Sequence, residues 1–164
     1  MKRYSVPLII LIVFSLVFIS VGCTKSFSDE EKTETVNAFL TEFFSFNKDN
    51  RYGVLTEDVP DKKELEEAVK KYMLPFKAFT SEQCYDTMRA NRMPGKYDSI
   101  AFENSISVKP KDITVDLLRE NVYSFEIIFD SEEANEAFSA PIKGEVSIIT
   151  AENKALIDSI IINK

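Results

Sequence analysis

At Gly95 the hydrophobic rhythm of this chain changes. Before that residue, apolar side chains recur three and four positions apart. After it they alternate, every second position. The first spacing lays one face along a helix and the second lays one face along a strand. A chain that makes the switch once, in this direction, is restricted to helices followed by an antiparallel sheet, an α+β arrangement with the helices on one side.

The helical half reads as three segments. Ser28-Asp29-Glu30-Glu31 has the form of a capping box, with Ser28 as N-cap and Glu31 three positions on. Acids in that first turn also suit the helix dipole. Val36, Phe39, Leu40, Phe43 and Phe44 then form a phenylalanine-rich stripe, and Asn47 to Gly53 ends it in turn chemistry. A second helix begins at Asp61, with Leu65, Ala68, Val69, Tyr72, Met73 and Phe76 on its apolar face. Glu66–Lys70 and Glu67–Lys71 are favourable pairs on the opposite face. Pro75 breaks or kinks it. Thr80 can cap a third helix, with Gln83 in the box position, running to Met93 before the Pro94-Gly95 stop.

The alternating half begins with a short strand candidate, Ser105 to Val108. Ile113 to Leu118 and Val122 to Phe129 form a hairpin turned at Glu120-Asn121, since Asn tolerates positive φ. Tyr123, Phe125, Ile127 and Phe129 share one face. Asp130 to Glu136 is a polar connection. Ile142 to Ile149 and Ala155 to Ile162 form a second hairpin, turned at Glu152-Asn153-Lys154.

The first 22 residues follow a different logic. Lys2 and Arg3 form a basic start, and Val6 to Val21 carry no charge. Gly22 is a small exit residue before Cys23. That order is an export signal. Ser20-Val21-Gly22-Cys23 resembles the lipobox of a bacterial lipoprotein, although Ser20 stands where such motifs usually carry Leu. The resemblance implies a diacylglyceryl group on the Cys23 sulfur and cleavage after Gly22, which leaves Cys23 as an N-terminus open to a third acyl chain. Two chains hold a protein stably at a membrane, because each buried methylene contributes roughly 0.8 kcal/mol. The alternative is an uncleaved membrane helix, for which a 16-residue apolar run is short of the ~20 residues a bilayer requires. Either way the body of the chain lies outside the cytoplasm, on the extracytoplasmic face of the cell membrane. Residues 23–28 are then a lipidated N-terminus and short tether, and 29–164 a single domain. Five extended residues, 24–28, reach at most ~18 Å.

The 164 residues less a 22-residue leader leave 142, enough for one core. Lys2 and Arg3 leave with it, so 18 basic and 27 acidic side chains remain, a formal charge of −9. That balance opposes nucleic-acid binding and adsorption to anionic lipid. With Cys23 taken by lipid, Cys84 has no disulfide partner in the chain. It reads as a small buried hydrophobe, against the alternative of a reactive thiol, since no His exists to activate it.

A helix pair, a short strand and long antiparallel strands together resemble the nuclear-transport-factor-2-like cone. Val36-Asn37-Ala38-Phe39-Leu40-Thr41-Glu42-Phe43-Phe44 is similar to that superfamily's opening helix. Gly144-Glu145-Val146-Ser147-Ile148-Ile149 with Ala155-Leu156-Ile157-Asp158-Ser159-Ile160 is similar to its closing hairpin. Lys154-Ala155-Leu156 stands where that hairpin usually has Gly-Lys-Trp. The resemblance implies N-terminal helices packed on a curved antiparallel sheet, with a pocket between the first helix and the concave face. It selects no activity, because such folds host enzymes, carriers and interaction modules alike.

The absence of His removes the commonest general base, Ser–His and Cys–His nucleophiles and His-containing zinc sites. Only four glycines exist, and none forms a phosphate loop. Asp130-Ser131-Glu132-Glu133 lacks the ligand spacing and glycine of a calcium loop. No cofactor or metal is expected. Phe39, Phe43, Tyr123 and Phe125 could line the implied pocket, with Asp86 or Glu126 as a carboxylate in it. The plainer readings are a surface ion pair for Asp86 with Arg89, a solvent-facing Glu126, and aromatic residues that are simply core. Two functions follow. One is a tethered, non-enzymatic module binding an envelope protein or a small apolar ligand. The other is a small hydrolase or isomerase built on a buried carboxylate.

Overall fold

Ser28 starts the first helix by the reciprocal bonds its sequence predicts. Its hydroxyl accepts from Glu31 N at 3.2 Å, and its own N–H donates to Glu31 Oε2 at 2.9 Å. The computed structural model describes residues 26–46, 55, 61–93, 95–130 and 138–163. The leader, Cys23, the Asn47–Gly53 turn and most of the 130–136 connection lie outside them. Within them, α1 is Asp29–Phe43, α2 is Lys62–Met73, α3 is Glu82–Ala90 and α4 is Gly95–Glu103. The strands are β1 Pro110–Arg119, β2 Val122–Phe129, β3 Ile142–Ala151 and β4 Lys154–Ile162. No described helix is long and apolar enough to cross a membrane.

The four strands form an antiparallel meander in the order β1-β2-β3-β4. This corrects the cone expected from the resemblance. The sheet is open and uncurled, and β1 and β4 stand at opposite edges without pairing to each other. The physical reason is the strand supply. Ser105 to Val108, expected as a strand, forms only an isolated bridge, in which Val108 and Phe46 exchange two backbone hydrogen bonds of 2.8 and 2.6 Å. With no further strand to carry the curl, two hairpins side by side remain a flat-edged sheet.

The period-2 pattern places its faces as expected. Tyr123, Phe125, Ile127 and Phe129 point inward from β2, and Ile142, Val146 and Ile148 from β3. In β4 the parity changes. Ala155 and Ile157 point inward, but so do the half-buried Ile160 and Ile162. Pairing jumps from Ile148–Ile157 to Ser147–Ser159, so Asp158 is an extra residue, a bulge that shifts the inward face by one position. The β3–β4 turn holds Glu152 and Asn153 at φ 52° and 58°, the pair of positive angles that a tight twisted hairpin requires.

The helices differ from the sequence reading at three points. Ser81, not Thr80, caps α3, accepting from Cys84 N at 3.0 Å. Thr80 is drawn out of that role because residues 79–81 bridge β4. Ser81 N donates to the Ile157 carbonyl and Ile157 N donates to the Phe79 carbonyl, both at 2.8 Å. Secondly, α3 stops at Ala90 and not at Met93. Thirdly, α4 lies where only a stop was expected. It is held by Asp98, almost wholly buried, whose Oδ2 accepts from the Tyr72 hydroxyl at 2.6 Å. Pro75 turns the end of α2 into a 3-10 segment, Leu74–Ala78, which brings Phe76 into the core.

Gly144 is required where β3 crosses beneath Phe125. A Cβ there would meet the Ile161 carbonyl oxygen and lie 2.5 Å from Phe125 Cζ. The backbone on one side cannot give way. Gly144→Ala is therefore expected to lower the unfolding free energy by about 3 kcal/mol, the upper part of the overpacking range, measured by urea denaturation. A loss under roughly 0.5 kcal/mol would contradict the close approach of Gly144 to the Ile161 carbonyl and the Phe125 ring.

Candidate functional site

The space expected to be a pocket behind α1 is filled. Phe39 and Phe43 are wholly buried, and Tyr123 and Phe125 are exposed by 1% and 3%. Their rings belong to a continuous aromatic cluster. Phe43 meets Phe39, Phe44 and Phe76 with centroids 5.5, 4.8 and 5.8 Å apart, and Phe44 reaches Phe125 at 6.0 Å. Offset and tilted rings at such distances are ordinary attractive packing. The apolar part of the expected site is therefore core.

The two carboxylates stand apart from it and from each other. Asp86 lies on the exposed face of α3 and pairs with Arg89 at 3.1 Å, both side chains about half exposed. Glu126 lies on the outer face of the sheet, where it pairs across the strands with Lys143 at 2.8 Å. Exposed pairs of this kind contribute little to stability. Neither carboxylate is desolvated, so neither has the environment that prepares a general base. Among the described residues no group of three His, Cys, Asp or Glu could hold a metal ion.

Among the described residues, clefts open on the surface at three places. One of about 620 Å³ lies between α3 and the β3–β4 hairpin, bordered by Tyr85, Asp86, Ile149 and Leu156. One of about 230 Å³ lies on the outer face of the sheet around Glu126 and Lys143. The third, about 500 Å³, lies where α3 passes into α4 and is bordered by Arg92, Lys96 and Tyr97. That last group escaped the sequence reading because α4 did. Its apolar residues, Tyr97, Ile100 and Ala101, have helical spacing, but nine residues after Pro-Gly present too short a window to separate from a loop.

Beside the first cleft, the Asp158 bulge builds a small polar joint. Ser81 Oγ donates to Asp158 Oδ1 at 2.9 Å while it caps α3. Cys84 sits behind it, 3% exposed. Burial, and then the Asp158 charge, push its thiol up to about 11. A nucleophilic cysteine needs the opposite shift. The joint fastens α3 to β4. Tyr123 is a further polar group in the interior. Its hydroxyl is buried with no hydrogen-bond partner among the described residues, and burial, followed by the charge of Asp29, raises its pKa.

Comparison with known proteins adds no relative: the chain matches no family model, no curated protein and no solved structure.

Two outcomes follow. In the native protein, Cys84 should resist iodoacetamide at pH 8, reacting only on the unfolding timescale. Its thiol is more acidic when unfolded, so the unfolded state releases the proton first and stability falls as pH rises from 9 toward 11. Cys84→Ala should flatten that decline in pH-dependent urea melts; an unchanged slope refutes the assignment. Separately, Tyr123→Phe removes an unsatisfied hydroxyl and keeps the ring. It should leave the unfolding free energy unchanged or raise it by up to about 2 kcal/mol; a loss of that size would reveal a partner for the phenol.

Proposed function

We propose that this chain is an exported lipoprotein whose domain is a non-catalytic interaction module, held against the outer face of the membrane by acyl chains on Cys23. The capping box at Ser28 carries the reading. It begins rigid structure at residue 28, so only 24–28 separate the lipid-bearing cysteine from a folded helix. A tether that short serves a body that works at the bilayer surface.

Two further features support it. Lys32 Nζ donates to Asn121 Oδ1 at 2.9 Å, which fastens the first turn of α1 to the β1–β2 turn. The tether therefore enters at the hairpin end of the sheet, beside Leu117 and Leu118, each about half exposed. That end faces the membrane in this reading, and the C-terminal end of α1 points away. The second feature is the filled interior, which leaves recognition to the surface. A small apolar ligand held behind α1 has no room. The hydrolase or isomerase alternative needs a buried carboxylate facing a cavity, and Asp86 and Glu126 are both exposed and ion-paired.

Cys23→Ala tests the anchor. In cells fed an alkyne-bearing palmitate, the unaltered protein should carry the label, run as the 142-residue processed form and partition with membranes. The variant should lose label and processing together. Undiminished labelling of the variant would overturn the proposal, as would a processed, membrane-bound form.

A further inference from the structure

Among the described residues, the cleft at the α3–α4 junction has a border whose charge runs against that of the chain. Its floor and walls are apolar: Phe43 from the end of α1, Met93, the Tyr97 ring and Ile162 from the end of β4. The charged residues described on its border are two cations, Arg92 and Lys96. Among the described residues neither cation is ion-paired. Lys96 instead lies over the Tyr97 ring, 5.5 Å from its centroid. In a chain with 27 acidic side chains against 20 basic, two adjacent unneutralised cations over an apolar hollow are unusual. They make a local field that attracts an anion, and the hollow offers its body a dry wall.

The backbone fixes one of those cations. Met93 N donates to the Met88 carbonyl at 2.9 Å and Arg92 N to the Arg89 carbonyl at 3.2 Å. This is the pair of bonds that closes a helix through a left-handed residue, a position usually taken by glycine. Arg92 occupies it at φ 52°. A side chain there is disfavoured, so local folding alone would select glycine. Arginine at this point is held on the rim of the cleft by the geometry of the helix end.

We propose that this cleft binds a small organic acid, with its carboxylate between Arg92 and Lys96 and its apolar or aromatic body against Tyr97, Met93 and Ile162. Arginine supplies a planar fork matched to a carboxylate, and lysine a second point charge. Burial keeps the Tyr97 phenol protonated well into alkaline pH, so its hydroxyl stays a neutral neighbour of the bound anion. A cleft of about 500 Å³ is within the range of small-molecule sites. The site lies at the C-terminal end of α1, about 22 Å along that helix from the tether. It therefore faces away from the bilayer and names a ligand class for the interaction module. It rests on the non-catalytic reading but not on lipidation, so loss of the anchor leaves it standing.

The test uses the full chain in nanodiscs of zwitterionic lipid, with methyl-labelled Met and Ile observed by NMR. Titration with 4-phenylbutyrate should shift the Met93 and Ile162 methyl signals saturably. The isosteric alcohol, 4-phenylbutanol, should bind at least tenfold more weakly. Arg92→Gly and Lys96→Gln should each weaken phenylbutyrate binding at least tenfold. Arg92→Gly should also hold or raise the melting temperature, because it relieves the left-handed residue. Equal binding of acid and alcohol would overturn the proposal, as would shifts confined to other methyls. Unchanged affinity in a folded Arg92→Gly protein would do the same.

Discussion

Everything in this domain is arranged around the phenylalanine stripe of α1. The helix lies across the inner face of the sheet and contacts both edge strands, β1 and β4. Phe39 and Phe43 engage the ring of Phe76 from the 3-10 segment, while Phe44 engages Phe125 and Phe129 of β2. Phe46, Tyr97 and Phe138 extend the cluster toward α4 and β3. Removing one such ring costs about 3–5 kcal/mol, against a total stability of about 5–15 kcal/mol for an ordinary domain. The aromatic contact therefore decides whether there is a domain at all. It also packs Phe39, Phe43 and Phe125, expected to line a pocket, into one aromatic cluster with Phe44.

The helices outside that stripe are positioned by buried polar groups. Asp98 and Tyr72 tie α4 to α2, and Ser81 with Asp158 ties α3 to the bulge in β4. A buried carboxylate is costly unless it is bonded, so each of these pairs tolerates only a narrow range of placements. Apolar packing alone would let short helices such as α3 and α4, nine residues each, slide over the rings. The polar joints select one register. Their thermodynamic contribution is modest, and their structural consequence is large because each one fixes an entire helix.

The elements legible in the sequence are those with a long period or a strong cap. Ser28 with Glu31, the stripe from Val36 to Phe44, and the alternation in β2 and β3 each repeat a signal several times. Both hairpin turns carry residues that accept positive φ, Asn121 and Asn153. The illegible elements depend on single long-range contacts. Nothing local marks Ser81 over Thr80 as the cap; the choice is made by Ile157, 76 residues away. Nothing local starts α4 at Gly95 except Asp98 finding Tyr72. The cone was expected because helices followed by hairpins are common to closed and open sheets. Closure depends on how many strands pair, and Val108 joins Phe46 in an isolated bridge outside the four-stranded sheet. Phe39, Phe43, Tyr123 and Phe125 were located correctly on inward faces, but inward faces meet each other when no cavity separates them.

The one-sided architecture then determines where recognition can occur. Helices cover the inner face of the sheet, while the outer face presents Thr114, Asp116, Glu126, Lys143 and Glu145, with the exposed Ile128 and Ile161 among them. Acids outnumber the lysine in the cleft on that face, so its field repels an anion. The hairpin end is occupied by the Ser28 cap and the first turn of α1, fastened to the β1–β2 turn. At the opposite end α1, α3 and β4 terminate and α4 begins. Element ends expose unpaired backbone and admit side chains that a regular face would bury. Arg92 is there because a helix ends, and Tyr97 because another begins. Where aromatic rings fill the described interior, the junctions between elements are places where charge and apolar surface meet with open space beside them.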